Sequence, residues 1–415
     1  MVFQQSRFHG AVTRGVGLAA LCFAIAAGSP AARAADDVIR IGVMNDQSGV
    51  FSMGNGPGSV VAARMAVEDF GGKAAGKPVE IVVADHQNKP DVGSAIARQW
   101  FDEGGVDAIA DLGNSAVALA VAEIAKQKDK VALISSGGAT VLTGKQCSPN
   151  TVHWTYDTHS QAAPLAVALA EKGRDKWFFL TADYTFGYSL ETEAEKSLNA
   201  VGGEVVGKVR HPLNTMDFSS FLLQAMGTDA NVLALANGGD DTVRSIKQAN
   251  EYRLTDKMVL VGLSALIIDI HSIGLETTQG LLLSLPFYWD MNEGTRAFAK
   301  RWSEQNQGRM PTMMQAGVYG AVLHYLKAVD ALGSAKDGKA VVDEMKKLPT
   351  DDPLFGKGYV REDGRTIHDV YVFEVKKPSE SKGPWDVFKL YATVPGEKAF
   401  LSMEEGGCPL VAKKG

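Results

Sequence analysis

Apolar residues fall along this chain in two alternating patterns. Short continuous runs occupy residues 38–44, 79–84, 107–110 and 131–134. Between them apolar positions recur every three or four residues. Val60, Val61, Ala63, Met65, Ala66, Val67 and Phe70 follow Pro57 and stop at Gly71-Gly72; Ile96, Ala97, Trp100 and Phe101 close at Gly104-Gly105; a third such stretch covers 117–125. The runs predict strands, and the recurring patterns predict helices, with Pro57 suited to a first helical position. Strands without polar alternation are buried on both faces, which predicts a parallel sheet wrapped by helices. The pattern restarts after Asp157, with helices over 162–170, 190–198, 218–226 and 243–252 and strands over 177–180, 204–206, 232–235 and 258–261. Two similar α/β units therefore stand in tandem. From Phe287 two long helices, 295–305 and 313–332, precede strand-like pieces at 369–375 and 387–391. That order suggests a chain that returns to the first unit and then crosses again to the second.

The first 34 residues break this pattern. Arg7 and Arg14 form a basic segment without acids, residues 16–27 form an apolar run, and Ala32-Arg33-Ala34 supplies a small-x-small cleavage pattern. The expectation is a secretory signal peptide over 1–34, since the run is too short to span a bilayer. Leu21 is too large for the residue before a lipid-modified cysteine at Cys22. The mature chain is then a soluble periplasmic protein. Its Lys plus Arg count falls from 42 to 39 against 48 acids, about −9 net, which argues against nucleic acid as a partner. A chain of 415 residues with 45% hydrophobic and 22% charged residues has room for two globular domains. Cys147 and Cys408 remain after cleavage; an even pair in an oxidising compartment predicts a disulfide, the alternative being two buried thiols.

The chemistry of cofactors, metals and nucleophiles is poorly represented. Gly54-Asn55-Gly56-Pro57-Gly58-Ser59 carries two fingerprint glycines but Ser59 in place of the third, and about ten residues separate it from its strand, whereas a pyrophosphate grip needs the turn at the strand end. No Gly-x4-Gly-Lys-Ser/Thr loop occurs. The eight histidines show no metal-ligand spacing; His153 and His159 read as solvated or capping groups. Gly262-Leu263-Ser264-Ala265-Leu266 lacks the last glycine of a nucleophile elbow. The expectation is no enzyme, no catalytic residues, no cofactor and no metal. What stands out is the composition of the loops that follow the strands. They contain Asn45 to Phe51, Leu112 to Ser115, Ser135 to Thr140, Thr181 to Gly187, Ala236 to Asp240 and Gly262 to Ser264, and are rich in Gly, Ser, Thr and Asn. In open parallel sheets ligands bind beyond the carboxyl ends of the strands. Neutral hydroxyls and backbone N–H groups there suit a small carboxylate. The same residue types also cap helices, so each of them is open to either role.

At these residues the chain resembles the substrate-binding proteins of ABC transporters in the branched-chain amino-acid (leucine/isoleucine/valine-binding) group. The resemblance is carried by Ile41-Gly42-Val43 with Ser48-Gly49, Ala66-Val67-Glu68-Asp69-Phe70-Gly71-Gly72 and Val82-Val83-Ala84-Asp85-His86-Gln87-Asn88-Lys89-Pro90. Asp183-Tyr184-Thr185-Phe186-Gly187, Asp217-Phe218-Ser219-Ser220 and Ile246-Lys247-Gln248-Ala249 continue it, so that it covers essentially the whole mature chain. It implies the type I periplasmic binding protein fold: α/β, two Rossmann-like lobes with parallel sheets, joined by three crossovers. The implied lobes are 36–157 plus 287–350 and 158–286 plus 351–395, with a C-terminal tail at 396–415. The ligand sits between them, closure is a hinge motion, and the partners are a small molecule and the permease subunits of the inner membrane. A monomer is expected.

Carried over residue by residue, the family's carboxylate-holding loops fall at Asn114-Ser115 and Ala139-Thr140. Its covering aromatic falls at Phe186 with Tyr184 nearby, a second family tyrosine at Gly238, and its ammonium-binding acid at about Ser264. Ser48, Phe51, Asp183 and Asn237 complete the candidate ligand set. A buried ammonium beside Ser264 would lack its countercharge, so the expected ligand is a carboxylate without one, an aromatic or 2-oxo acid. The alternatives are a branched-chain or other amino acid held by Asp183 or Asp240, an amide or urea ligand, a sensor feeding a membrane kinase, and an exported enzyme.

Overall fold

The computed structural model describes residues 37–411; the expected signal peptide lies outside them. The first sheet contains β1 (Ile39–Asn45), β2 (Lys73–Ala74), β3 (Lys77–Asp85), β4 (Ala108–Asp111), β5 (Val131–Ile134) and β6 (Thr151–His153), in the order β2-β3-β1-β4-β5-β6. All its pairings are parallel except that of β2 with β3. β4 and β5 are buried at every position and β1 at all but Arg40, the double-sided burial that their apolar runs predict. β3 departs from it: its outer neighbour is only two residues long, and it is partly exposed along its length.

The second sheet is β7 (Lys176–Ala182), β8 (Glu204–His211), β9 (Val232–Ala236) and β10 (Val259–Gly262), parallel throughout in the order β10-β9-β7-β8. β8 runs well past its apolar start because it is an edge strand, where Lys208 and Arg210 are tolerated facing outward. After β11 (Leu282–Leu285) the chain makes the two long helices Glu293–Glu304 and Met313–Leu332. The second, with Thr312 as its cap, lies against the helix Gly56–Asp69 and against β4 and β5. It belongs to the first unit, and its partner helix is tied there too: Trp302 Nε1 donates to Gly58 O at 2.9 Å. A small antiparallel sheet follows, β12 (Thr350–Asp352), β13 (Gly356–Val360) and β14 (Thr366–Ile367). β15 (Val370–Val375) then pairs antiparallel with both β11 and β16 (Phe388–Val394).

Where the chain passes between the two units it is held by a buried cation. The Arg365 guanidinium donates to Tyr156 O at 2.8 Å, to Trp154 O and to Thr366 O at 3.0 Å, under the Phe400 ring at 4.4 Å. Three carbonyls and a π face replace its water shell, and burial lowers its pKa to about 10. Cys147 and Cys408 form a disulfide with Cα atoms 5.6 Å apart, tying the C-terminal tail to the segment after β5. Among the described residues no helix is long and apolar enough to cross a membrane.

Candidate functional site

The loops that leave β1, β4 and β5 face those that leave β7, β9 and β10. The Asp46 carboxylate organises the first of them. It accepts from Ser48 N (3.3 Å), Gly49 N (2.6 Å), Phe51 N (2.9 Å) and Asn88 Nδ2 (2.7 Å), and so turns the chain to present Phe51. Asn45 Nδ2 reaches Gly56 O (2.9 Å) and the Asp111 carboxylate (2.7 Å), which also takes the Ser136 hydroxyl. Tyr156 OH donates to Ser136 O at 2.6 Å. Asn55, fully buried, caps the helix Gly56–Asp69 by accepting from Gly56 N at 2.6 Å. That bond fixes which end of its amide is oxygen, and leaves Nδ2 buried without a partner among the described residues. Nδ2 lies against Gly113, where a Cβ would overlap it.

From the other side come Tyr184 and Phe186, the Gly238-Gly239-Asp240 turn, Ser264, Leu266 and Asp269. Together with Val50, Phe51, Met53, Gly54, Asn55, Gly113, Ser136, Tyr156, Ile268 and Met314 they line a narrow cleft with a cavity of about 30 Å³. The two sides are in contact. Phe51 stacks on Tyr184 with ring centroids 6.2 Å apart and Tyr184 meets Phe186 at 6.0 Å. Asp240 N donates to Val50 O at 3.3 Å. Gly239 has φ +62, and a Cβ there would collide with the Val50 carbonyl; glycine is required both by the turn and by the approach of the opposite loop.

Among the described residues no lysine, arginine or histidine lines the cleft. Its ionisable groups are acids. Asp240 is exposed and paired with Arg244 at 3.2 Å. Asp269 is buried and accepts from Leu266 N at 2.8 Å; burial, with Asp240 adding like charge, pushes its carboxyl up to about 7. Asp111, beneath Ser136, is raised to about 6 by burial, against hydrogen bonds from Ser136 and Asn45. Desolvation of an anion without a countercharge is the common cause. Among the described residues no group of histidine, cysteine and acid side chains is arranged to hold a metal ion.

Of the residues singled out from sequence, Phe51, Tyr184, Phe186, Gly238, Asp240 and Ser264 line this cleft. The Ser264 hydroxyl lies 3.3 Å from Gln161 Nε2, which donates to it. The others stand around it. Asn114 Oδ1 accepts from Ala116 N and Val117 N, capping the helix Ser115–Gln127. Ser115 Oγ accepts from Gly138 N and Ala139 N, both at 3.2 Å. Thr140 bridges to the helix Thr185–Ala200, its hydroxyl 3.1 Å from a Glu193 oxygen. Asn237 accepts from the Thr242 hydroxyl at 2.8 Å. The Ser48 hydroxyl donates to Asp85, and exposed Asp183 accepts from Tyr188 OH. Sequence reasoning singled out neither Asn55, Ser136 nor Asp269 as contacts. Ser136 was in a loop already chosen, and Asn55 stood in the rejected glycine-rich stretch. Asp269 sits in the run Leu266-Ile267-Ile268-Asp269-Ile270, where nothing but its isolation among apolar residues marks it.

With this geometry in view, the chain was compared with known proteins. Residues 38–383 match the family model described as periplasmic binding protein. Leu/Ile/Val-binding protein homolog 6 of Brucella melitensis is 27% identical over 372 residues, covering 86% of this chain and 93% of that protein. A crystal structure of a periplasmic binding protein from Burkholderia mallei is 48% identical, with TM-score 0.88 over 90% of this chain and 99% of that one. A branched chain amino acid ABC transporter periplasmic ligand-binding protein from Burkholderia xenovorans is 39% identical, with TM-score 0.79 and the same coverage. A solute binding protein from R. palustris, solved with 4-hydroxybenzoate, shares the fold at 23% identity and TM-score 0.79, covering 87% of this chain and 98% of that one.

Proposed function

This chain belongs to the periplasmic binding protein family, the substrate-binding components of ABC transporters, and from that premise we propose that it captures a small carboxylate with an aromatic or 2-oxo body and delivers it to permease subunits. The observation that carries this reading is the Asn55 amide nitrogen, buried at the cleft with no partner among the described residues. An unmet buried donor costs about 1–3 kcal/mol, which a ligand oxygen recovers. Beside it Phe51, Tyr184 and Phe186 offer ring faces to a flat apolar body. Gly238 leaves room, since the nearest atom to a Cβ added there is 3.8 Å away, in Phe51. The position expected to hold an ammonium-binding acid is the neutral Ser264. The R. palustris protein, with the same fold, holds 4-hydroxybenzoate, which supports an aromatic carboxylate as a ligand the architecture accommodates.

A second reading has its own observation. Asp240 and Asp269 line the cleft, and either would serve as the acid for an amino acid's ammonium, as the name of the Brucella relative suggests. A thermal-shift panel followed by calorimetry separates the two, because a ligand that binds only the folded state raises the melting temperature. Benzoate-type, cinnamate-type or 2-oxo acids are expected to bind at micromolar or tighter affinity. Leucine binding in that range, with none of those acids bound, would replace this reading with the second.

A further inference from the structure

We propose that Thr140 and Glu193 form a latch between the two units, which holds a share of the protein closed before any ligand enters. The inference rests on closure of the two units about a hinge and not on which ligand the cleft takes. Thr140 stands in the segment after β5, in the first unit; the helix Thr185–Ala200 follows β7, in the second. Along that helix Phe186, Ser189, Glu193 and Lys196 recur at helical spacing and share one face. The face meets the first unit turn by turn. Phe186 lies at Gly138, 2.8 Å from where a Cβ would stand. Ser189 Oγ accepts from Thr140 N at 3.3 Å and lies 2.6 Å from the Thr158 hydroxyl. One Glu193 oxygen accepts from the Thr140 hydroxyl at 3.1 Å, and the other from His159 Nδ1 at 2.9 Å. At the last turn Lys196 Nζ pairs with Glu405 at 2.8 Å, in the tail that Cys147 and Cys408 tie to the first unit.

Magnitudes single out one bond along this seam. The Lys196–Glu405 pair is about half exposed on both sides, and such pairs contribute little. Glu193 is 7% exposed, and a hydrogen bond to a buried carboxylate is among the strong ones. Its two oxygens are used differently. His159 and Glu193 lie on neighbouring helices of the second unit, so that bond survives opening. The Thr140 bond crosses to the first unit, and opening parts it. Thr140 is expected from the family pattern to hold a ligand's carboxylate, yet its hydroxyl is committed to Glu193, and among the described residues it is not part of the cleft wall. The bond therefore needs no ligand and is not displaced by one. The helix that carries the latch starts with Phe186, which lines the cleft, so latch and covering ring move as one body. A protein whose competent state is already populated loses less of its intrinsic affinity to closure.

The test is a distance measurement on the ligand-free mature protein, by double electron–electron resonance between spin labels at Glu103 and Glu251, exposed positions in the first and second unit. The native protein is expected to show the separation of this structure as one populated component beside an open one. Thr140→Val keeps the shape of the side chain and removes its hydroxyl; it is expected to lower the closed-to-open ratio by about threefold or more. Thr140→Ser keeps the hydroxyl and is expected to keep the native ratio. Glu193→Leu is expected to act like Thr140→Val, and the double variant to lose no more than either alone, because one bond is removed in all three. A merely structural Thr140 would lower the melting temperature of Thr140→Val and leave the distance ratio unchanged, which overturns the inference. A native ligand-free protein without the closed separation overturns it as well. Should Thr140→Val not fold, Glu193→Leu compared with Thr140→Ser decides. No ligand is added, so failure of the aromatic or 2-oxo acid reading and failure of the latch are separate results.

Discussion

Asn55 uses the two ends of one amide differently: its oxygen caps a helix, and its nitrogen, in a residue of the cleft wall and against Gly113, is buried without a partner among the described residues. The two are separable by substitution. Asn55→Asp keeps the capping oxygen, removes the donor and adds a buried negative charge, so carboxylate affinity is expected to fall by tenfold or more and the melting temperature to fall as well; calorimetry below the variant's melting temperature reads the first and a melting curve the second. Asp111 gives a pH signature. Its folded pKa of about 6 lies above its ordinary value of 3.8, so between those values the folded state holds more protons than the unfolded one. Stability therefore rises as pH is lowered from above 6 toward 4, by up to about 1.4 kcal/mol for each pH unit crossed between the two values. Asp269, raised to about 7, acts in the same direction over 3.8 to 7. Buried histidines pull the other way, since burial lowers His86 and His368 to about 4; the Asp111 contribution is therefore read as a difference, and melting curves of Asp111→Asn from pH 7.5 to 4.5 are expected to lack it relative to the native protein, whereas an unchanged slope in the variant would remove Asp111 as a source.

The elements that position the site were legible where physics writes them in a short stretch of sequence. β4 and β5 are continuous apolar runs because both faces are covered, and the helix Met313–Leu332 begins at a threonine cap and ends at Gly333 in the left-handed conformation. What escaped was decided by neighbours distant in sequence. β8 extends through Lys208 and Arg210 because it is an edge, and β12, β13 and β14 are too short and polar to show a period. The cleft was half legible for a related reason. Phe51, Tyr184 and Phe186 are aromatics in polar loops, which is conspicuous, whereas Asn55 and Asp269 become polar contacts only once another loop closes over them. Asn114 shows the ambiguity of the loop residues: as a cap, its oxygen is committed to Ala116 N and Val117 N. Asn114→Ala is expected to cost about 1 kcal/mol of stability, measured by denaturant unfolding, and to change ligand affinity by no more than about threefold. A loss of affinity far beyond that would mean Asn114 also touches ligand.

At the scale of the molecule, the two units touch around the cleft, and beside it Thr140 reaches Ser189 and Glu193. Phe51 meets Tyr184, Val50 meets Gly239 and Asp240, Gly54 meets Leu266, and Gly138 meets Phe186. We propose the lobe limits 36–157 plus 287–350 and 158–286 plus 351–395, with these contacts made in the closed state. Gly239→Ala places a methyl against Val50 O at a backbone position that disfavours it, so closure and affinity are expected to suffer by about tenfold or more; Gly238→Ala meets only Phe51, at 3.8 Å, and is expected to stay within about threefold. Small-angle scattering with and without ligand reads the closure, and equal behaviour of the two variants would contradict this account of the contact. The most direct test of the central claim is a crystal structure of the protein saturated with an aromatic or 2-oxo carboxylate that it binds. The account predicts the ligand between Phe51 and Phe186, with an oxygen of its carboxylate within hydrogen-bonding distance of Asn55 Nδ2. A ligand seated elsewhere, or one whose carboxylate leaves Asn55 Nδ2 unpaired, would contradict it.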